Sequence, residues 1–314
     1  MKEQIFNGYR VTYEEALEMV ENWSDEQLFE LANELREHFQ GKKISTCMIL
    51  NAKSGKCSEN CKWCSQSAHH HTGVANYSMI GYDRVLEVAT EAETSGVQKF
   101  SLVTSGRKLS SQEVKQVADS YTRLKKELKK VSLCGSFGLL TKNELQILYH
   151  SGMRMYHCNI ESAPSFFPNL CSTHTIEEKT QTIGWAKEVG LKICSGGIIG
   201  MGETMRQRVE MAVYLQKLEV DSIPVNILMP IKGTPLEHLK PLTDHDILRS
   251  FAIFRIVNPT AEIRMAGGRI TYRPIQEKAL KCGVSAALVG NLLTTIGSGV
   301  EEDMELFKSL HYEV

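Results

Sequence analysis

Nine cysteines stand at positions 47, 57, 61, 64, 134, 158, 171, 194 and 282, and three of them crowd into a short CxxxCxxC run. That run, Cys57, Cys61 and Cys64, lies inside the segment NAKSGKCSENCKWCSQSAHHHTG. Thiolates are the soft ligands that iron–sulfur clusters require, and clustered thiols in a reducing compartment bind metal more readily than they form disulfides. A cubane held by only three protein thiolates leaves one iron open to a further ligand. A zinc knuckle or an ordinary electron-transfer cluster are the competing readings. Zinc usually takes paired CxxC units with a fourth ligand, and no such partner is near in sequence.

Other residues carry weaker signals. In 155–161, MYHCNIE, the residues His157, Asn159 and Glu161 fall on one face of a predicted strand. Three polar side chains on a core strand are costly unless that face lines a ligand cavity. The run GGIIGMGE, carrying Gly196, Gly197, Ile198 and Glu203, reads as a strand-to-helix turn whose glycines allow close backbone approach. His69, His70 and His71 cannot all face one ion from a regular loop and are expected to pack near the cysteines. Cys47 and Cys282 read as buried core thiols, and KKELKK at 125–130 as a solvated helix face.

These residues need a frame. Apolar residues recur at helical spacing over 9–40, and Ser24 with Gln27 forms a capping-box pattern. Beyond it, predicted strands at 44–51, 98–104, 131–136, 155–161, 192–199, 223–229, 262–266 and 286–292 alternate with helical stretches such as 83–93, 111–128, 176–189 and 205–218. Eight alternations predict an α/β fold, a TIM-type (β/α)8 barrel, a size class of roughly 250 residues; a doubly wound sheet alternates similarly. The expected organisation is a helical extension at 1–40, a barrel at 41–300 and a tail at 301–314. In a barrel the chemistry belongs at the C-terminal ends of the strands.

The chain has 314 residues, with 36 basic against 37 acidic side chains. That balance gives no sign of a nucleic-acid or membrane partner. The start lacks the features of a secretory signal, and no stretch approaches the roughly 20 apolar residues that span a bilayer. A cytoplasmic protein is expected.

The cysteine triplet after the first strand, with GGIIGMGE fitting a GxIxGxxE pattern, resembles the radical S-adenosylmethionine (SAM) superfamily. That resemblance implies a 4Fe-4S cluster on Cys57, Cys61 and Cys64 whose open iron takes SAM, with Trp63 against the adenine. Gly196, Gly197, Ile198 and Glu203 would belong to the SAM site. CSGGIIGMGET, IPVNILMPIKGTPLE, IRMAGGR and LLTT extend the likeness to the biotin synthase family across nearly the whole barrel. The activity so implied is radical insertion of sulfur into dethiobiotin to give biotin. Asn159 would contact the ureido ring or SAM, Glu161 the ribose, His157 and Asn226 the substrate, and Thr294 and Thr295 its carboxylate. The family commonly has Asn at His157 and Asp at Glu161. Flavodoxin or ferredoxin as electron donor, iron–sulfur assembly proteins and a homodimer are the implied partners.

The same family carries an auxiliary 2Fe-2S cluster, held by three cysteines and an arginine, whose sulfide is inserted. Cys134, Cys194 and Arg264 match, but the strand-two cysteine is replaced by Ser101. A serine alkoxide is a poor ligand for such a cluster. An auxiliary cluster of altered ligation or nuclearity is therefore expected, with Cys171 or Cys158 as the replacement. A hydrogenase maturase-like or methylornithine mutase-like radical SAM enzyme, or a non-catalytic iron–sulfur sensor, are the alternatives.

Overall fold

The computed structural model describes residues 1–290 and 299–314. Among them, nine strands run β1 (Ser45–Lys53), β2 (Lys99–Thr104), β3 (Ser132–Ser136), β4 (Met155–His157), β5 (Lys192–Cys194), β6 (Gly197–Ile199), β7 (Ser222–Ile227), β8 (Glu262–Met265) and β9 (Ala286–Leu288). All pair in parallel. β1 lies between β2 and β9, and β5 and β6 both pair with β7, which closes the sheet. β5 and β6 are two halves of one staggered strand, so the closed sheet is the eight-stranded (β/α)8 barrel expected from the alternation.

Two of the predicted strands that border the site break inside their apolar runs. The run 192–199 parts at Ser195 and Gly196, which lie opposite Ile223 and Pro224 in the register with β7. Pro224 has no N–H to give to the ladder. The run 155–161 leaves regular pairing after His157, and Glu161 takes a left-handed φ of 70°. Backbone bonds nevertheless tie it to the neighbouring strand: Cys158 N–H to Cys194 O at 3.1 Å, Glu161 N–H to Gly196 O at 3.0 Å and Ile198 N–H to Glu161 O at 2.9 Å.

The outer helices start where local chemistry dictates. Six of the described helices open on a reciprocal capping box, at Thr12/Glu15, Ser24/Gln27, Ser110/Glu113, Thr141/Glu144, Thr175/Glu178 and Thr204/Gln207. Each satisfies backbone N–H groups that the first turn cannot pair internally. The helix Asp244–Val257 is buried along most of its length because the extension helix Asp25–Gln40 packs over it. Its Arg255, fully buried, donates to the carbonyls of Gly283, Pro259 and Ala261 at 2.7–2.8 Å and joins the helix to the starts of β8 and β9.

Residues of the amino-terminal extension, including Ile5, Phe6 and Phe39, line a cavity of about 680 Å³ with Lys99, Met155 and Glu262, at the N-terminal ends of the strands. The last residues form the helix Val300–Ser309, and Glu313 then bonds Lys42 and Ile44 at the head of β1. No helix among the described residues is long and apolar enough to cross a membrane.

Candidate active site

The three clustered cysteines lie in the segment that follows β1, at the C-terminal end of the barrel. Cys57 N–H donates to Gln66 O at 3.0 Å, Ala68 N–H to Cys57 O at 2.8 Å and Cys64 N–H to Cys61 O at 3.0 Å, which folds the segment on itself. The Gln66 side-chain oxygen accepts from Ser54 and Gly55 at 3.1 and 3.0 Å. His69 and His70 bond the carbonyls of Ser58 and Cys61, both at 3.0 Å, so two of the three consecutive histidines fasten the loop. All three thiols are unbridged. Burial pushes the Cys64 thiol up to about 11, and burial with Cys171 and Cys64 beside it raises Cys61 further. A coordinating metal reverses that balance by drawing off the proton. Three unbridged thiols with no fourth cysteine inside the loop fit a cluster with one open iron.

Cys171 sits against this loop. Its Sγ is 3.7 Å from Cys61 Sγ and 3.4 Å from His174 Nδ1, and His174 Nδ1 is 2.6 Å from the Glu59 carboxylate. Arg107 reaches Glu59 at 3.3 Å. Lys62 N–H to Leu170 O, and Asn60 Nδ2 to Ser172 Oγ, pin the two loops together. The ligand atoms of Cys61, Cys171 and His174 lie within 4.8 Å of one another, so Cys61 has thiol and imidazole neighbours far from it in sequence. Glu59, Arg107 and His174 have no periodic signal. They sit in loops whose meeting depends on barrel closure.

Beside the loop lies a cavity of about 230 Å³ that brings together Trp63, Cys64, Gln66, Ile198, Asn226 and Gly267. Trp63, Ile198 and Asn226, which are far apart in sequence, thus share one mouth with Cys64. Asn226 is held at both ends, donating to Gly197 O at 3.1 Å and accepting from Gly267 N–H at 2.8 Å. Asn159 accepts from Gly196 N–H at 3.2 Å. Burial raises Glu161 above its ordinary value, with Lys179 and Asn159 opposing, and its carboxylate is close enough to Cys64 to raise that thiol.

The glycines of GGIIGMGE serve strand packing directly. A Cβ on Gly196 would lie 2.1 Å from Pro224 O, and one on Gly197 2.4 Å from Glu161 O. Glu203 is committed to the protein itself. Its carboxylate accepts from Gly200 N–H, Met201 N–H and Arg208 Nε, each at 2.7 Å. Both partners of that ion pair are buried. Glu203 therefore shapes the turn that follows Ile198.

Deeper in the barrel is a second, polar chamber. Arg264 uses all five of its N–H groups: toward Ser222 Oγ, the carbonyls of Ser45 and Ala287, Ser45 Oγ, and Glu262 at 2.6 Å. Lys99 reaches the same Glu262 at 2.7 Å. Burial opposes charge on Glu262, yet Arg264 and Lys99 beside it hold it down at about 2. Cys134 and Cys194 pack together with Met155 nearby. His157 stands opposite Cys194 in the β4–β5 register. Its Nε2 is buried without a partner among the described residues, and burial, then Arg264 and Lys99, lower it to about 3, so it is neutral.

The two thiols expected to replace the missing strand-two cysteine take other surroundings. Cys171 is the neighbour of Cys61 described above. Cys158 has its Sγ 3.9 Å from Lys179 O, on the outer helix Ile176–Val189, as strand alternation requires of the residue next to His157. Cys47 is buried, as expected of a core thiol, and Arg264 lies within electrostatic reach of Cys47, Cys194 and Cys134 together. Its shared parity with Ser45 on β1 was the available signal. Thr294 and Thr295 lie outside the described residues.

Comparison with known proteins agrees with this arrangement. The Radical SAM superfamily profile matches residues 52–215, and that of the Biotin and Thiamin Synthesis associated domain matches 224–313. The fold is similar to that of methylornithine synthase, with a TM-score of 0.85 at 15% identity over 99% of this chain and 96% of that one. It is also similar to the FeFe-hydrogenase maturase HydG from Carboxydothermus hydrogenoformans, at 0.83 and 18% over 99% and 78%. In sequence, it is 48% identical to the biotin synthase of Parabacteroides distasonis, over 100% of this chain and 96% of the relative. It is 47% identical to that of Porphyromonas gingivalis, over 100% and 95%. With its cysteine loop, its barrel and likeness of that extent along its whole length, the chain belongs to the biotin synthase family of radical SAM enzymes.

Proposed function

We propose that this chain inserts sulfur into dethiobiotin to form biotin, using SAM as the source of the radical. The observation that carries the proposal is the stacking of two thiol-bearing sites in one barrel. The Cys57, Cys61 and Cys64 loop stands at the mouth, and Cys134 and Cys194 lie beneath it beside Arg264. When bound, a 4Fe-4S cluster with SAM supplies one-electron reduction and hydrogen abstraction, and an auxiliary cluster, 2Fe-2S or of another nuclearity, supplies the sulfide.

The chain's own part is to bind, orient and exclude water. Cys57, Cys61 and Cys64 hold the first cluster. Trp63 and Ile198 would offer apolar walls to the adenine, and by resemblance the Gly196–Gly197 backbone and Glu161 would belong to the same SAM site, Glu161 as acceptor for the ribose hydroxyls. Glu203 serves the SAM site at one remove, by fixing the turn through Gly200, Met201 and Arg208. Asn159 and Asn226, each already anchored by one or more backbone bonds, present fixed amides to the ureido ring. His157, neutral and with its Nε2 unpartnered among the described residues, stands deeper, opposite Cys194, and is assigned to the substrate on resemblance. Thr294 and Thr295 are assigned the substrate carboxylate on resemblance alone. Arg264 lies against the deep thiols with its donors engaged, as a charged wall for the auxiliary cluster.

A flavodoxin or ferredoxin as donor, loading by iron–sulfur assembly proteins, a homodimer and a cytoplasmic setting complete the proposal. The test is an anaerobic assay of reconstituted protein with SAM, dithionite and dethiobiotin, read by mass spectrometry. Biotin with deoxyadenosine is the expected result. Deoxyadenosine without biotin, from protein full in iron and sulfide, moves the reading to another substrate of the same radical chemistry. Neither product moves it to a non-catalytic iron–sulfur protein.

A further inference from the structure

Side chains alternate along a strand, so Ser45, Cys47 and Ile49 share one face of β1. Ser45 marks that face as the barrel interior, since its hydroxyl accepts from Arg264 Nη2 at 3.2 Å and its carbonyl from Arg264 Nη1 at 3.1 Å. Ile49, at the other end, lines the mouth cavity. Cys47 stands between them, above the Lys99–Glu262–Arg264 network and below the mouth, and is only 2% exposed. Cys134 of β3 and Cys194 of β5 pack together. Cys134 is close enough to both Cys47 and Cys194 for their charges to act on it. Arg264 is within electrostatic reach of all three sulfurs.

Strand β2 brings no thiol to this ring. Ser101 is fully buried and pairs with Ile49 on one side and Cys134 on the other, its hydroxyl turned to Leu102 O at 3.5 Å. A hydroxyl is a hard, weakly acidic donor where iron–sulfur chemistry takes soft thiolates. β1 lies directly beside β2, about 4.8 Å away in the hydrogen-bonding direction. A cysteine one strand over and one inward position nearer the strand start keeps three sulfurs around the chamber.

We propose that Cys47 is the third thiolate of the deep auxiliary cluster, together with Cys134 and Cys194, in place of a cysteine at Ser101. The inference deepens the sulfur-inserting function proposed above and rests on it. It displaces Cys171 and Cys158 from that role. Cys171 is instead a neighbour of the SAM cluster loop, and Cys158 packs outside the barrel against Lys179.

The test reads iron, sulfide and Mössbauer spectra of anaerobically reconstituted full-length protein. In the C57A/C61A/C64A background, where only the deep cluster can form, Cys47→Ser is expected to lower iron affinity about tenfold or more, and Cys134→Ser is expected to do the same. Cys282→Ser, which removes a buried thiol elsewhere, is expected to change nothing. The pair C47S/S101C returns a thiol to the chamber and is expected to restore bound iron with an altered spectrum. If Cys47→Ser fails to fold, that pair carries the test, and a spectrum identical to the unsubstituted chamber overturns the inference. Unchanged iron and spectrum in Cys47→Ser also overturn it and leave the sulfur-inserting function standing. Absence of any iron from the C57A/C61A/C64A protein removes the deep cluster itself, and with it both the inference and the proposed source of sulfur.

Discussion

The sulfur of Cys171 lies 3.7 Å from that of Cys61, a contact made between loops more than a hundred residues apart. It joins the cysteine loop to the network of His174, Glu59 and Arg107. Two expectations separate this placement from one in the deep chamber. Cys171→Ala leaves the auxiliary cluster's Mössbauer signal unchanged. In protein stripped of its clusters, the disulfide-forming oxidant diamide joins Cys61 to Cys171 in preference to Cys61 to Cys282, as read by peptide mapping without reductant. A loss of auxiliary signal in Cys171→Ala would return that residue to the chamber.

Cys64→Ala is expected to bring deoxyadenosine formation down to the level of a no-enzyme control. Iron–sulfur chemistry of this kind needs each of its thiolates, and no fourth cysteine lies inside the loop to replace one. The same variant should keep the iron of the deep chamber. Anaerobic product analysis alongside iron determination reads both.

Glu203 and Arg208 form a buried ion pair at 2.7 Å that also holds two backbone N–H groups. Glu203→Gln leaves Arg208 without its charge partner, and breaking such a pair costs about 3 kcal/mol or more. Urea unfolding of the single variants and of E203Q/R208M should show strong coupling between the two sites. An additive double variant would mean that the turn after Ile198 does not depend on the pair.

Glu262 gives a pH dependence with a defined sign. Its folded-state value is depressed to about 2, so the stability it contributes is present above the ordinary carboxylate range. That contribution is lost as pH falls from about 4.5 toward 2, and it amounts to about 3 kcal/mol by linkage. Cluster-free protein should therefore lose urea resistance over that window, and Glu262→Gln should flatten the loss. An E262Q protein with the same acid profile as the parent would assign the effect to other carboxylates.

Much of the fold was legible because it is written locally. Short apolar runs between helical stretches located all eight barrel strands, and the helices at 176–189 and 205–218 begin and end where the sequence reading put them. The breaks in the sheet were less legible. Pro224 interrupts the ladder of a neighbouring strand, so the split at Ser195–Gly196 arises across the sheet from the sequence that shows it. Glu203 illustrates the same limit. Its motif marked it for the SAM site, while its two carboxylate oxygens are spent on the turn itself.

By itself, the sequence determined the iron–sulfur chemistry, the barrel and which residues share a face of each strand, because thiol spacing and side-chain alternation are properties of a few neighbouring residues. Tertiary structure alone decided where Cys47 and Cys171 fall among the other cysteines. Closure of the sheet turns Cys47 into the same chamber as Cys134, Cys194 and Arg264. Loop packing over the mouth brings Cys171 to Cys61 and Trp63 to Asn226. Those meetings depend on long-range backbone pairing, and no local pattern of residues encodes them.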